Sequence, residues 1–235
     1  EGLDQTRGWF YSLINLGVGL FDKAPYKHVI VNGLVLSDSG VKLSKSEKNY
    51  TDPMELVEKY GADALRLALL SSPVVKGENL LFSDENVSDV YKKNISRLEN
   101  VVTLYQMNKD TEYEPKATSD NVLDIWMISR THELVRQATK GYDAYLLDDA
   151  VRGIADVIDD ISVWYTRRSR ERLKGDTGEE DKKLAYETLT YVLITLTKVI
   201  APVMPFIAER MYLDLGGKKE SVHLESWPEV GEIND

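Results

Sequence analysis

Apolar residues recur at helical spacing through most of this chain. Trp9, Leu13, Leu16 and Leu20 stand i, i+4, i+7 and i+11 and predict a first amphipathic helix, with Asp4 placed to cap it. A β-branched run follows, His28 to Val31 and then Leu34 to Leu36, broken by Asn32-Gly33, which predicts extended chain. Asp52 reads as the cap of the next helix, with Pro53 at its first position, Glu55 three residues past the cap and Gly61 at its end. A second short helix spans about Asp63 to Leu70. From Ser71-Ser72-Pro73 to Ser83 the pattern lapses, which marks a candidate boundary.

From Val87 onward the stripes lengthen. Val87, Tyr91, Ile95, Leu98, Val102 and Tyr105 form one, and Val122, Trp126, Met127, Arg130 and Leu134 begin another after a polar linker from Asn108 to Ser119. Ile154, Ile158, Ile161, Tyr165 and Arg168 form a third, broken by Lys174-Gly175-Asp176-Thr177-Gly178. Leu189, Val192, Leu193, Leu196, Val199 and Ile200 form the fourth, which Ala201-Pro202 stops; Pro205 opens a last short helix before Gly216-Gly217. These stripes predict a helix bundle, with Met and aromatic residues in its core.

Composition adds limits. With 43% hydrophobic and 29% charged residues the 235-residue chain is neither disordered nor fibrous. It has no cysteine, so disulfides and thiolate metal sites are excluded, and His28, His132 and His223 show no ligand spacing; no protein-bound zinc is expected. The longest apolar runs are too short or too interrupted to span a bilayer. A net charge of −10 argues against indiscriminate coating of nucleic acid, so any RNA contact must be local.

Three stretches carry candidate chemistry. Lys42-Leu43-Ser44-Lys45-Ser46 puts two flexible cations and two hydroxyls on a loop opened by Ser39-Gly40, lying between an extended run and a helix start. It reads either as a solvated basic turn or as a cradle for a polyphosphate. Glu1-Gly2-Leu3-Asp4-Gln5-Thr6-Arg7-Gly8-Trp9-Phe10 sets acids that could accept bonds from an ammonium or a ribose beside two glycines that permit close backbone approach. The acids equally suit a first helical turn, and Trp9 equally suits a core. The third, Trp164 to Lys174, holds five basic residues against one acid. It is either a solvated face balanced by Glu179-Glu180-Asp181 or an RNA contact through arginine forks and stacking aromatics.

The lysine stretch resembles the Lys-Met-Ser-Lys-Ser signature of class I aminoacyl-tRNA synthetases, with Leu43 in place of Met, a change that conserves volume. The opening decapeptide resembles the E-G-x-D-Q-x-R-G-W-F stretch of the isoleucyl-tRNA synthetases and meets every fixed position. Tyr60-Gly61-Ala62-Asp63-Ala64-Leu65-Arg66 is similar to the junction segment of the class. Trp164 to Arg170 resembles the W-Y-x-R-R-S-R motif of the isoleucine enzymes' anticodon-binding domain, and Ala201 to Phe206 and Ser221 to Pro228 resemble that domain's end.

The resemblance implies a mostly α fold: the end of a Rossmann-like α/β catalytic domain over 1–50, a helical junction over 51–85, and an α-helical bundle that binds the anticodon over 86–235. It implies a ligase that uses ATP and Mg2+ to activate isoleucine and charges tRNA(Ile) in the cytoplasm, with neither DNA nor a membrane as partner. Lys42 and Lys45 are the expected catalytic cations. Glu1, Gly2, Asp4, Gln5, Trp9, Ser44 and Lys45 are the expected ATP and adenylate contacts. Trp164, Tyr165, Arg167, Arg168, Arg170 and Arg172 are the expected tRNA contacts. Asn32 stands where many members have His, and Lys48 where many have Gly.

The chain starts inside a motif without an initiator methionine and holds no His-x-Gly-His segment, as expected of a piece of a longer enzyme. A valine- or methionine-specific synthetase and a non-catalytic tRNA-binding module are the other readings open to this sequence. With half of the ATP cradle absent from its sequence, the purified 235-residue chain is expected to show no isoleucine-dependent pyrophosphate exchange. Exchange above background would refute that.

Overall fold

The computed structural model describes residues 2–37, 39–43 and 49–233. The amino-terminal part opens with a 3-10 turn, Leu3–Arg7, and helix α1, Trp9–Phe21. Asp4 does not cap α1, because the 3-10 turn intervenes; the Gln5 side chain takes that place, its Oε1 accepting from the Trp9 amide at 3.3 Å. Strand β1, Val35–Leu36, pairs in parallel with β2, Leu80–Leu81, in the register Val35 to Leu80 and Leu36 to Leu81. The predicted extended run is therefore real but short. The two strands approach closely enough that a Cβ on Gly33 would lie 1.8 Å from the Glu78 carbonyl oxygen, so only glycine fits there.

Helix α2, Pro53–Tyr60, is capped as the sequence predicts, with Asp52 accepting from the Met54 amide at 2.8 Å. Gly61 turns the chain at φ +82 into α3, Ala62–Leu70. The segment read as a boundary is partly ordered: Pro73–Lys76 forms a 3-10 turn capped by Ser72, and β2 lies inside it.

The bundle begins with α4, Asp84–Val90, capped by Ser83, which runs through a π turn at Tyr91–Ile95 into α5, Ser96–Asn108. Helix α6, Val122–Asp143, and α7, Leu147–Asp159, form a hairpin, and α7 passes through a second π turn, Asp160–Tyr165, into two short helices, α8 at Thr166–Arg168 and α9 at Arg170–Lys174. Gly175 and Gly178 both have positive φ and break the chain before α10, Glu179–Ile200. The helix α11, Pro205–Asp214, packs back on it. The fourth predicted stripe is buried almost all round, as a helix at the centre of a bundle requires.

Beyond α11 an extended strap runs antiparallel along α6. Trp227 Nε1 donates to Thr139 Oγ1 at 2.8 Å, and His132 Nδ1 lies 2.8 Å from the Glu232 carbonyl. The first predicted stripe behaves differently. Trp9 is 49% exposed and Leu20 69%, and Gly17 is the buried residue of α1. The periodicity identifies the helix, but among the described residues no element covers its apolar face.

The hairpin of α6 and α7 supplies a test of packing against propensity. A Cβ on Gly141 would meet the Ala150 backbone nitrogen at 2.4 Å. Ala in a helix interior gains up to ~1 kcal/mol over Gly, whereas forcing a methyl into a filled contact typically costs about 1–3 kcal/mol. Gly141→Ala should therefore lower the denaturant midpoint; a raised midpoint would show that the hairpin yields.

Candidate functional site

The strand leading to β1 organises the first group of candidate residues. Gly2 forms a parallel bridge to Asn32, and Lys42 forms an antiparallel bridge to Leu36. Segments forty residues apart in sequence thus flank one strand, Gly2 toward its start and Lys42 toward its end. Lys42 is exposed, and its position is fixed from both sides: Ser37 donates to the Val41 carbonyl at 2.8 Å, and Asn49 Nδ2 donates to the Lys42 carbonyl at 3.1 Å. Gly40, at φ +77, makes the turn that permits this return.

Asp4 presents an exposed carboxylate that accepts from Gln5 Nε2 at 3.3 Å, and Gln5 is half-buried beside it. Trp9 faces outward from the start of α1, its ring 5.8 Å from that of Phe10. Core packing of Trp9 is ruled out in this chain by its exposure. Glu1, Ser44 and Lys45 lie outside the described residues.

The second group is split by the structure. Trp164, Arg167, Arg168 and Arg170 are exposed, with Trp164 48% accessible and the Arg168 guanidinium 4.5 Å above its ring, a cation–π arrangement. Among the described residues none of these arginines forms an ion pair, nor does Lys174. Tyr165 and Arg172 lie inside. Tyr165 is fully buried and donates to Asp124 Oδ1 at 2.7 Å; Arg172 grips Asp124 through both terminal nitrogens at 2.7 and 2.9 Å and Asp181 through Nε at 2.7 Å.

Tyr165 and Arg172 are therefore removed from the RNA-contacting set. Their donors are spent on a carboxylate that is itself 0% exposed and that also accepts from Ser119 at 2.8 Å. Burial pushes the Tyr165 phenol well above its usual range, and the neighbouring Asp124 charge pushes it further. Burial opposes charge on Arg172, but the bonds to Asp124 and Asp181 outweigh it and the guanidinium holds its proton more tightly than usual. Burial likewise works to raise the Asp181 carboxyl, yet the Thr177 hydroxyl and Arg172 hold it below the ordinary carboxylate range.

Asp124 and Asp181 escape a reading by periodicity because it counts apolar positions. The available signal is an acid in the first turn of a helix whose buried face it shares, paired with an arginine that continues another helix's apolar seam. Asp63 and Arg66 escape for a different reason, since their partners lie more than 130 residues away.

Comparison with known proteins follows the same division. The family described as tRNA synthetases class I (I, L, M and V) matches residues 1–81, and the anticodon-binding domain of tRNA ligase matches residues 124–234. Isoleucine–tRNA ligase of Bdellovibrio bacteriovorus is 45% identical over 97% of this chain and 22% of its own length, and that of Chlamydia trachomatis is 44% identical over 98% and 23%. The chain thus spans less than a quarter of the relatives it matches. A LeuRS–tRNA–LeuAMS ternary complex from Agrobacterium radiobacter K84 superposes with a TM-score of 0.69 at 21% identity, over 94% of this chain and 27% of that one, which shows a shared fold.

The split between inward and outward arginines is testable. Removing one partner of a buried charge pair typically costs about 3–5 kcal/mol, so Arg172→Ala should lower the thermal midpoint steeply while Arg167→Ala leaves it nearly unchanged. Equal melting of the two variants would contradict the assignment.

Proposed function

We propose that this chain is a piece of a class I tRNA synthetase and that it supplies one side of the aminoacyl-adenylate site and the tRNA-binding helical domain of an isoleucine–tRNA ligase. The observation that carries the reading is the pair of bridges that sets Gly2 and Lys42 along one strand. A nucleotide laid across that edge meets backbone and carboxylate groups at one end and a lysine at the other.

In this reaction the isoleucine carboxylate attacks the α-phosphate of ATP, pyrophosphate leaves, and the acyl group passes to the terminal ribose of the tRNA. Lys42 and Lys45 act on the phosphates, where negative charge develops in the transition state. Gly2 lets the backbone approach the adenylate, Asp4 and Gln5 offer acceptors for its ammonium and ribose hydroxyls, and Trp9 walls the amino-acid pocket; Glu1 and Ser44 join the same set. Among the described residues no three His, Asp or Glu side chains are arranged to hold a metal. Magnesium, a hard cation that usually binds through substrate phosphates, is proposed to arrive with the ATP.

The functional division follows 1–50 for the catalytic piece, 51–85 for the junction and 86–235 for the RNA-binding bundle. In a chain of net charge −10, the exposed and unpaired Arg167, Arg168 and Arg170 beside Trp164 form the place best suited to the anticodon side of tRNA(Ile). No described helix is long and apolar enough to cross a membrane. A cytoplasmic location goes with the proposed activity.

Two measurements test this. In the full-length enzyme, Lys45→Ala should slow single-turnover adenylate formation about a hundredfold, the loss of ~3 kcal/mol typical of one preorganised donor, with tRNA affinity kept; an unchanged rate would remove the loop from catalysis. In this chain, replacing Arg167, Arg168 and Arg170 with Ala should weaken tRNA binding and flatten the plot of log affinity against log salt by about 0.7 to 0.9 per lost phosphate contact. Parental affinity and slope, with circular dichroism intact, would leave the cluster a solvated face.

A further inference from the structure

The segment that follows the lysine stretch is tied to the bundle from Thr51 onward. Thr51 donates to Asp84 at the start of α4 at 2.8 Å, Asp52 caps α2, and Gly61 turns directly into α3. Helix α3 then carries two charged residues three positions apart, Asp63 and Arg66, which lie one helical turn from each other.

Both reach the corner between α10 and α11. Asp63, buried, accepts from the Ile207 amide at 2.7 Å and the Phe206 amide at 3.4 Å, capping a helix that its own chain segment does not cap. Arg66 donates through Nε to the Val203 carbonyl at 2.9 Å and through a terminal nitrogen to the Pro202 carbonyl at 2.9 Å. The acid thus takes the free amides of one helix start, and the guanidinium takes the carbonyls of the turn that precedes it. Apolar contacts of Ala64 and Leu67 could hold α3 near this corner in several registers, but four directional bonds fix one.

The consequence extends along α10. Its 22 residues span about 33 Å, and Asp181 in its first turn pairs with Arg172 of α9, next to the exposed Arg170 and Arg168. One rigid member therefore joins the corner held by Asp63 and Arg66 to the basic surface. We propose that Asp63 and Arg66 are positioning residues that set the register between the lysine loop and the RNA-gripping bundle, so that a tRNA held at Arg167 to Arg170 meets the catalytic side in one geometry. The inference rests on the ligase reading above and goes beyond it in separating the charging step from amino-acid activation.

The test uses the full-length enzyme containing this chain, with Arg66→Ala, Asp63→Ala and the conservative Asp63→Asn. Arg66 has an exposed head, so its variant is the one expected to keep the fold, checked by circular dichroism and melting. Isoleucine-dependent pyrophosphate exchange, which needs no RNA, and the Kd for tRNA should stay within about twofold, while kcat for charging falls on the order of tenfold to a hundredfold, the scale of a small misplacement of a reactant. Asp63→Asn, which keeps an acceptor for the α11 amides, should restore most of the kcat lost in Asp63→Ala. An unchanged charging kcat in Arg66→Ala, or exchange and charging falling by the same factor, would overturn the proposal. A parent enzyme that exchanges pyrophosphate but charges no tRNA would instead overturn the function on which it rests.

Discussion

The bidentate pair between Arg172 and Asp124 is the contact on which the geometry of the bundle turns. Taking two charges out of water costs several kcal/mol per ion, and nothing about the pair would be tolerable if its remaining lone pairs and protons were left unmet. They are met by Tyr165, Ser119 and Asp181. The start of α6, the π turn after α7, α9 and the start of α10 therefore converge on this one ion pair. A packed apolar core could bring these elements together, but the directional bonds specify how each is rotated about its own axis.

That rotation decides which basic residues face outward. The π turn at Asp160–Tyr165 adds a residue to one turn and shifts the phase of everything after it. Tyr165 and Thr166 point inward and Trp164, Arg167 and Arg168 outward. Ser169, in a turn conformation between α8 and α9, shifts the phase again, so that Arg172 enters the core while Arg170 and Lys174 stay in solvent. A patch of unpaired cations on a strongly acidic protein is thus a product of buried electrostatics a few residues away.

The amino-terminal part is held by different means. Its strands are two residues long, and single bridges fix Gly2 and Lys42. What attaches it to the bundle is the pairing of β1 with β2, the salt bridge of Lys76 to Asp148 at 2.6 Å, the stacking of His28 on Tyr145 at 4.6 Å, and the four bonds from α3. Leu56, Ala64 and Leu67 add apolar packing in the shared core, and the polar contacts, which lose their value quickly with distance, favour one arrangement.

Local chemistry was enough to place most helices, because caps, prolines and glycines act on their immediate neighbours: Asp52 with Pro53, Gly61, Gly175 and Gly178 all end or start helices where the sequence puts them. The apolar stripe of α10 likewise announced its own burial, since a helix that is apolar on nearly every side has no stable place at a surface. The basic run from Trp164 to Lys174 was legible as a functional candidate by composition alone. Which of its members face solvent was not, because that depends on a π turn and on partners at Asp124 and Asp181 that helical periodicity does not encode. Nor could the stripe of α1 reveal that no described element covers it. Propensity and patterning act over a few residues; the inward turn of Arg172 and the grip of Asp63 and Arg66 on the α10–α11 corner arise between groups tens to more than a hundred residues apart, and only folding brings those together.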